Sequence, residues 1–337
     1  MGHFCNNILP ISPSHQHIFR HSLLRFGDLH DTMTFLSVRL VMAVFHCLSD
    51  KQQGYLFTFI TMCIWGAFGL MARMNAYWHI QIWDVLLLRF GIAAAVLLPI
   101  LWWKKDYQFL FDFKLLILAL VGSIGYCIFV YNGFFYAPVA HGVVFLNGTF
   151  PLFAALIGYI MLRSPIDRQT GIGLSIIVMT LLLMTISIII GDGYFGRGDL
   201  MFIASGLCWG LFSVLLRKWS FSAWHIMCGV AIWSAVIYSL IYAMFITPAF
   251  HTALPTHLAI QGIFHGIFVV IIATLTYAKA VAKIGIFKAG SIANLAPFIA
   301  SIIAVPLLDE MLNTTLVMGL IGMAIGALQP WRWFIGR

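Results

Sequence analysis

WGAFGLMAR at residues 65–73 recurs as WGLFSVLLR at residues 209–217, and these two stretches decide the fold. Trp, Gly, Phe and Arg hold the same positions in both stretches, which begin 144 residues apart. A single Trp or Gly in an apolar run usually serves as an interface anchor or a packing residue of a membrane helix. Recurrence of four residue types at one spacing instead indicates two copies of one structural unit.

A second set of markers repeats at nearly the same offset. Pro151 and Pro297 are 146 residues apart, and Tyr131 and Tyr277 have the same separation. Because both sets fall in apolar runs of matching rank, chance repetition is a poor explanation. The sequence therefore predicts a first repeat over residues 54–190 and a second over residues 198–335.

The composition places both repeats in a membrane. Of the 337 residues, 62% are hydrophobic and only 9% are charged, whereas a soluble domain has roughly 25% charged residues. So few charges cannot cover the surface of a water-soluble protein of this size. The net charge of +8 is not read as a nucleic-acid surface, since the Lys and Arg residues stand in short breaks between apolar runs.

The apolar runs are long enough to count as membrane spans, each of which needs about 20 residues. Ten spans are predicted, near residues 54–72, 82–103, 114–133, 139–162, 169–190, 198–216, 224–246, 258–278, 285–307 and 313–332. The fold class expected is therefore an all-α integral membrane protein with ten transmembrane helices, arranged as two inverted five-helix repeats.

The distribution of positive charge predicts the orientation. Sixteen Lys and Arg residues fall in the termini and in one set of alternate loops, and only Arg73 and Arg197 fall in the other set. Positive charge concentrates on the cytoplasmic side of membrane proteins. Both termini should therefore be cytoplasmic, in what we take to be a bacterial inner membrane. Residues 1–53 are expected to form a mostly disordered extension, unless translation starts at a later Met.

Five spans per repeat is an odd number, so the second repeat must cross the membrane in the opposite sense. Inverted repeats are an architecture of secondary transporters, in which two similar halves expose a central site alternately to each side. The expected function is therefore transport of a small molecule.

The sequence also resembles a known family, the EamA-type transporters of the drug/metabolite transporter superfamily. The resemblance covers residues 54 to about 335 and rests on the following positions: Trp65, Gly66, Arg89, Pro151, Trp209, Gly210, Pro297 and Asp309. It implies ten spans in two EamA repeats. It also implies export or uptake of small metabolites, such as amino acids and their derivatives, or of drug-like compounds.

Arg89 is a candidate site residue because it lies inside the second predicted span. A charged residue within a membrane is costly and marks a functional site by default. Its guanidinium group could bind an anionic group of the substrate, such as a carboxylate. Two structural alternatives are that Arg89 reaches the membrane interface or that it pairs with Asp84.

The remaining candidates are expected to line a central cavity. Pro151 and Pro297 each remove a helix hydrogen bond, which frees a carbonyl near Asn147 and Asn294 respectively. Four aromatic residues are candidate cavity walls or, equally, packing residues: Trp65, Tyr131, Trp209 and Tyr277. His265 lies nearest to a span centre among the histidines and is the candidate titrating or cavity-lining group.

No acidic residue stands at the middle of a predicted span, and no P-loop or metal-binding motif is present. No cofactor, metal or catalytic residue is therefore predicted, and the protein is not expected to be an enzyme. The alternative considered is a membrane-embedded enzyme acting on a lipid-linked substrate, which would need clustered acidic groups or an activated nucleophile. The expected partners are a small-molecule substrate and membrane lipids, with a homodimer as an open alternative and nucleic acid excluded.

Overall fold

The computed structural model of the protein describes residues 48–190, 195–293, 295–309 and 314–330. All regular secondary structure in these ranges is helical. The described residues from Gly54 onward belong to one compact unit. The extension predicted over residues 1–53 lies, except for its last six residues, outside the described part of the chain.

Eleven helices can be followed along the described ranges. They are α1 (Asp50–Tyr77), α2 (Ile82–Lys104), α3 (Phe113–Tyr136), α4 (Val139–Leu162), α5 (Arg168–Ile190), α6 (Arg197–Trp219), α7 (Ala223–Phe245), α8 (Pro255–Ile284), α9 (Ile286–Ala293), α10 (Ala296–Leu308) and α11 (Thr314–Leu328).

Eight of these helices, α1 to α8, are long and apolar enough to cross a membrane, with 23 to 30 residues each. The predicted ninth span, residues 285–307, is not one continuous helix, because α9 ends at Ala293 and α10 begins at Ala296. Pro297 stands in the first turn of α10, where a residue without an N–H group is readily accommodated. With 13 and 15 residues, α10 and α11 are shorter than a full span.

The repeat seen in the sequence also appears in the local backbone. The third helix of each half contains a π-helical stretch, Leu120–Gly125 in α3 and Phe264–Ile272 in α8. When the first stretch is shifted by 146 residues, the separation of the two repeated prolines, it falls inside the second stretch. Arg163 and Asp309, also 146 residues apart, end α4 and α10 with left-handed φ angles of 51° and 52°. The two halves therefore share irregular features as well as residue types.

The glycines of the two Trp-Gly motifs dock on the opposite half in the same way. A Cβ atom at Gly66 would lie 3.2 Å from the carbonyl oxygen of Ala296, the residue before Pro297. A Cβ atom at Gly210 would lie 3.2 Å from the carbonyl oxygen of Phe150, the residue before Pro151. Helix α1 of the first half thus contacts α10 of the second, and α6 of the second half contacts α4 of the first.

Buried polar contacts fasten the ends of several helices. Asp84, in the first turn of α2, is fully buried and accepts hydrogen bonds from the Tyr242 hydroxyl and, at 3.1 Å, from the backbone N–H of Ala249. The Nδ1 atom of His141 in α4 and the Oδ1 atom of Asp199 in α6 share a hydrogen bond of 2.7 Å. These contacts tie helices of the two halves to each other at their ends.

Candidate functional site

Arg89 lies in the N-terminal half of α2 and is partly buried. Its Nη1 atom donates a hydrogen bond of 3.3 Å to the Tyr131 hydroxyl of α3. The guanidinium carbon lies 6.0 Å from the centre of the Phe68 ring of α1, within range of a cation–π interaction. The Nε atom is buried and finds no hydrogen-bond partner within the described ranges. Three helices of the first half therefore meet at this guanidinium group.

Arg89 does not form the ion pair with Asp84 that the sequence left open. Asp84 accepts hydrogen bonds from Tyr242 and Ala249 instead. Within the described ranges, no carboxylate lies within the 4.0 Å ion-pair distance of Arg89. The positive charge is offset only by a phenol hydroxyl and an aromatic face.

His265, in the second half, packs against the same aromatic residues that contact Arg89. It is fully buried in the π-helical stretch of α8, and among the described residues neither ring nitrogen has a hydrogen-bond partner. Its imidazole ring packs edge-on against Tyr131, with 5.0 Å between ring centres, and against Phe68, at 5.6 Å. Phe68 and Tyr131 are thus shared by Arg89 and His265, and we call these four residues the central cluster.

Two glycines of α8 explain how His265 reaches Arg89. A Cβ atom at Gly266 would lie 3.1 Å from the carbonyl oxygen of Arg89, and one at Gly262 would lie 3.3 Å from the Leu88 Cβ atom. Small residues four apart let two membrane helices approach closely. The backbones of α2 and α8 are therefore in near contact where the central cluster forms.

The other predicted aromatic residues form two pairs, each joining the halves. Trp65 of α1 packs against Tyr277 of α8, with 5.1 Å between ring centres. Trp209 of α6 packs against Tyr126 of α3 at 4.8 Å. A strict repeat would pair Trp209 with Tyr131, but Tyr131 belongs to the central cluster and Tyr126, five residues earlier, takes its place.

The predicted prolines stand where the halves touch. Pro151 lies within α4, which continues through it, and the carbonyl before it faces Gly210. Pro297 lies in the first turn of α10, and the carbonyl before it faces Gly66. Asn147 is partly buried one turn before Pro151, and Asn294 lies outside the described residues.

Sequence reasoning missed several residues of this region. Phe68 was quoted only as part of the repeat, although it contacts both Arg89 and His265. Tyr126 has no tyrosine at the equivalent position of the second repeat, so the repeat did not single it out. Gln261 is fully buried one turn before His265, and its side-chain amide donates to the carbonyl of Met71 at 2.9 Å. Its position four residues from His265 on one helix face was the available signal.

The cluster combines one cationic group, an imidazole, a phenol and aromatic faces, which are the group types that bind polar and aromatic ligands in proteins. In the described ranges, no three His, Cys, Asp or Glu residues come together as a metal site would require.

Comparison with known proteins decides the family. The sequence profile of the EamA-like transporter family matches residues 52–186 and again residues 196–329. The chain belongs to the EamA-like transporter family. The resemblance found in the sequence is therefore confirmed, and the chain is a membrane protein of a transporter family built from two EamA repeats.

Two further similarities agree with this assignment. The chain is 24% identical over 234 residues to the uncharacterized transporter YyaM of Bacillus subtilis (strain 168), covering 64% of this chain and 73% of that protein. The chain is also similar to a solved structure titled "Crystal structure of protein". The two are 17% identical in sequence, with a TM-score of 0.58, and the match covers 83% of this chain and 97% of the other. At that identity the second similarity concerns the fold alone.

Proposed function

We propose that this EamA-family protein is a secondary transporter that moves a small metabolite across the membrane by alternating access between two inverted repeats. The substrate would bind at the central cluster, where α1, α2 and α3 of the first half meet α8 of the second. Rocking of the halves about their shared contacts would expose this cluster to each side in turn.

One observation supports the proposal above the others. In both halves the glycine of the Trp-Gly motif lies close to the carbonyl oxygen before the repeated proline, Gly66 against Ala296 and Gly210 against Phe150. Two equivalent contacts related by exchange of the halves are what a pseudo-two-fold axis produces. Such a pair supports two arrangements of the halves that are related by this axis and similar in free energy, as alternating access requires.

The same proposal includes ten spans and cytoplasmic termini, in a bacterial inner membrane. The excess of Lys and Arg in the termini and in alternate loops supports this orientation. A reporter fused after Arg337 should be active in the cytoplasm, and one inserted between Ile246 and Leu254, in the loop before α8, should report the opposite side. The measurement is the paired activity of a cytoplasmic and a periplasmic reporter. A periplasmic signal at the C-terminus would rule out the ten-span count.

Transport itself is tested in vesicles that contain the purified full chain. A panel of amino acids, their derivatives and other small organic solutes is assayed for uptake, with and without a proton gradient. We expect one class of solute to accumulate faster than in protein-free vesicles. The solute recovered from the vesicles should have an unchanged mass, because a membrane-embedded enzyme would instead return a modified compound. If no solute moves across the panel, the transporter proposal fails.

A further inference from the structure

We infer that the solute bound at the central cluster is an organic anion, with one carboxylate on an aromatic or apolar body, held by Arg89 and His265. This inference rests on the proposed function and names the class of its substrate. It assigns the anion to residues from both halves, α2 of the first and α8 of the second.

The charge of the cluster is the first reason. Arg89 brings one positive charge, and no carboxylate within ion-pair distance balances it in the described part of the chain. Cations inside membrane proteins are as a rule paired, because an isolated charge is poorly solvated there. Its Nε atom is buried without a partner, and only Nη1 donates within the described residues. A bound carboxylate would accept hydrogen bonds from the remaining N–H groups of the guanidinium group, in the bidentate geometry that Arg favours.

The unsatisfied imidazole is the second reason. Both nitrogens of His265 are buried and have no hydrogen-bond partner in the described part of the chain, and a buried polar group left unpaired is costly. Either tautomer of the ring presents one N–H donor. Because His265 and Arg89 share Phe68 and Tyr131 as neighbours, a carboxylate held by Arg89 would meet that donor in the same cluster. One ligand group would thereby satisfy both residues.

The aromatic residues around Arg89 and His265 indicate the character of the rest of the solute, beyond its carboxylate. Phe68 and Tyr131 supply the aromatic rings of the cluster, and Trp65 stands one turn from Phe68 on α1 and packs at a tilt against Tyr277. Aromatic walls with few polar groups select a ligand with an apolar or aromatic body. An ammonium group on the solute would need an acceptor, and the candidate is the buried Oε1 atom of Gln261, which has no hydrogen-bond partner among the described residues. A neutral amide oxygen binds an ammonium group more weakly than a carboxylate does. An amino group on the solute is therefore not required.

The test compares ligands of one shape and different charge on the unaltered full chain. Benzoate, benzamide and benzylamine are titrated at pH 7 into the purified protein in detergent, and binding is followed by isothermal titration calorimetry. Benzoate should bind at least about tenfold more tightly than benzamide or benzylamine, since charge-assisted hydrogen bonds are stronger than neutral ones. Acetate, which lacks the apolar body, should bind more weakly than benzoate.

Variants assign the effect to the cluster. Arg89→Gln should weaken benzoate binding by about tenfold or more and leave benzamide binding unchanged. His265→Phe should weaken benzoate binding by a smaller factor. The matched controls are Arg217→Gln and His257→Phe. Arg217 lies at the exposed end of α6. His257 lies near the start of α8, away from the cluster, and its ring stacks on that of Trp78. Both controls should bind benzoate as the unaltered protein does.

The outcomes separate this inference from the proposed function. If benzoate binds no better than benzamide, or benzylamine binds best, the inference is wrong even where the vesicles transport a neutral solute. If benzoate binds selectively and no anion or other solute crosses the vesicle membrane, the anion site stands and the transporter proposal fails. Should Arg89→Gln not fold, the comparison of benzoate with benzamide on the unaltered protein decides.

Discussion

Replacing Gly210 with leucine should destabilise the protein by about 3 kcal/mol, at the upper end of overpacking penalties. A Cβ atom at this position would already lie 2.9 Å from the backbone nitrogen of Ala154 and 2.9 Å from the Phe153 Cβ atom. These atoms belong to the α4 backbone or lie next to it, so no side-chain rotation can relieve the clash. The expected result is a lower thermal midpoint in detergent and a loss of the monodisperse peak in size-exclusion chromatography.

Two further variants make this result specific. Gly66→Leu, the repeat counterpart, should also destabilise, because its Cβ atom would meet the carbonyl oxygen of Ala296 at 3.2 Å. Gly171→Ala in α5 is the matched control, since nothing lies within 4 Å of a Cβ atom there. It should stabilise by about 0.4–1 kcal/mol by reducing the freedom of the unfolded chain. Equal midpoints for Gly210→Leu and the unaltered protein would contradict the close contact of α6 with α4.

Replacing Asp84 with alanine should cost about 2–6 kcal/mol, because each of its two buried donors left without an acceptor costs about 1–3 kcal/mol. Asp84 accepts from both the Tyr242 hydroxyl and the Ala249 N–H group, so α2, α7 and the loop after α7 all lose a contact. The measurement is the thermal midpoint of the purified protein. Asp84→Asn keeps one acceptor oxygen and should lose less.

A double-mutant cycle checks the cause. After Tyr242→Phe, the change Asp84→Ala should cost about 1 kcal/mol less than it does alone, since one of the two orphaned donors is already gone. Asp106→Ala serves as control, because Asp106 has a half-exposed side chain 3.6 Å from His225 and should change stability by no more than about 0.5 kcal/mol. Additive effects of Asp84→Ala and Tyr242→Phe would show that the carboxylate does not serve that hydroxyl.

Much of the fold could be predicted from periodic and repeated residues. The eight long helices follow the predicted apolar runs, since a chain with 9% charged residues must satisfy its backbone hydrogen bonds within helices. The split near Pro297 was harder to predict. Pro151 and Pro297 are equivalent in the sequence, yet α4 continues through the first while a helix begins at the second. A proline permits a break, and the packing around it decides whether one occurs.

The candidate site was predictable only in part. Arg89 could be singled out because a charge within a span is conspicuous, and Tyr131 and His265 were named on weaker grounds. That these three share Phe68 was not predictable, because they lie on three different helices whose relative rotation no local pattern specifies. The partner of Trp209 shows the same limit. The repeat points to Tyr131, but Tyr126 makes the contact.

The repeated Trp-Gly stretches and the composition thus determined that the chain is a membrane protein of two equivalent units, because spacing and hydropathy are properties of the chain alone. Only the tertiary structure decided what the motif does. Its glycines seat α1 and α6 on the opposite half beside Pro297 and Pro151, while the phenylalanine three residues after Trp65 faces Arg89 and His265. Such contacts depend on which faces of distant helices meet, and that choice is made by packing over the whole molecule rather than by any single stretch of sequence.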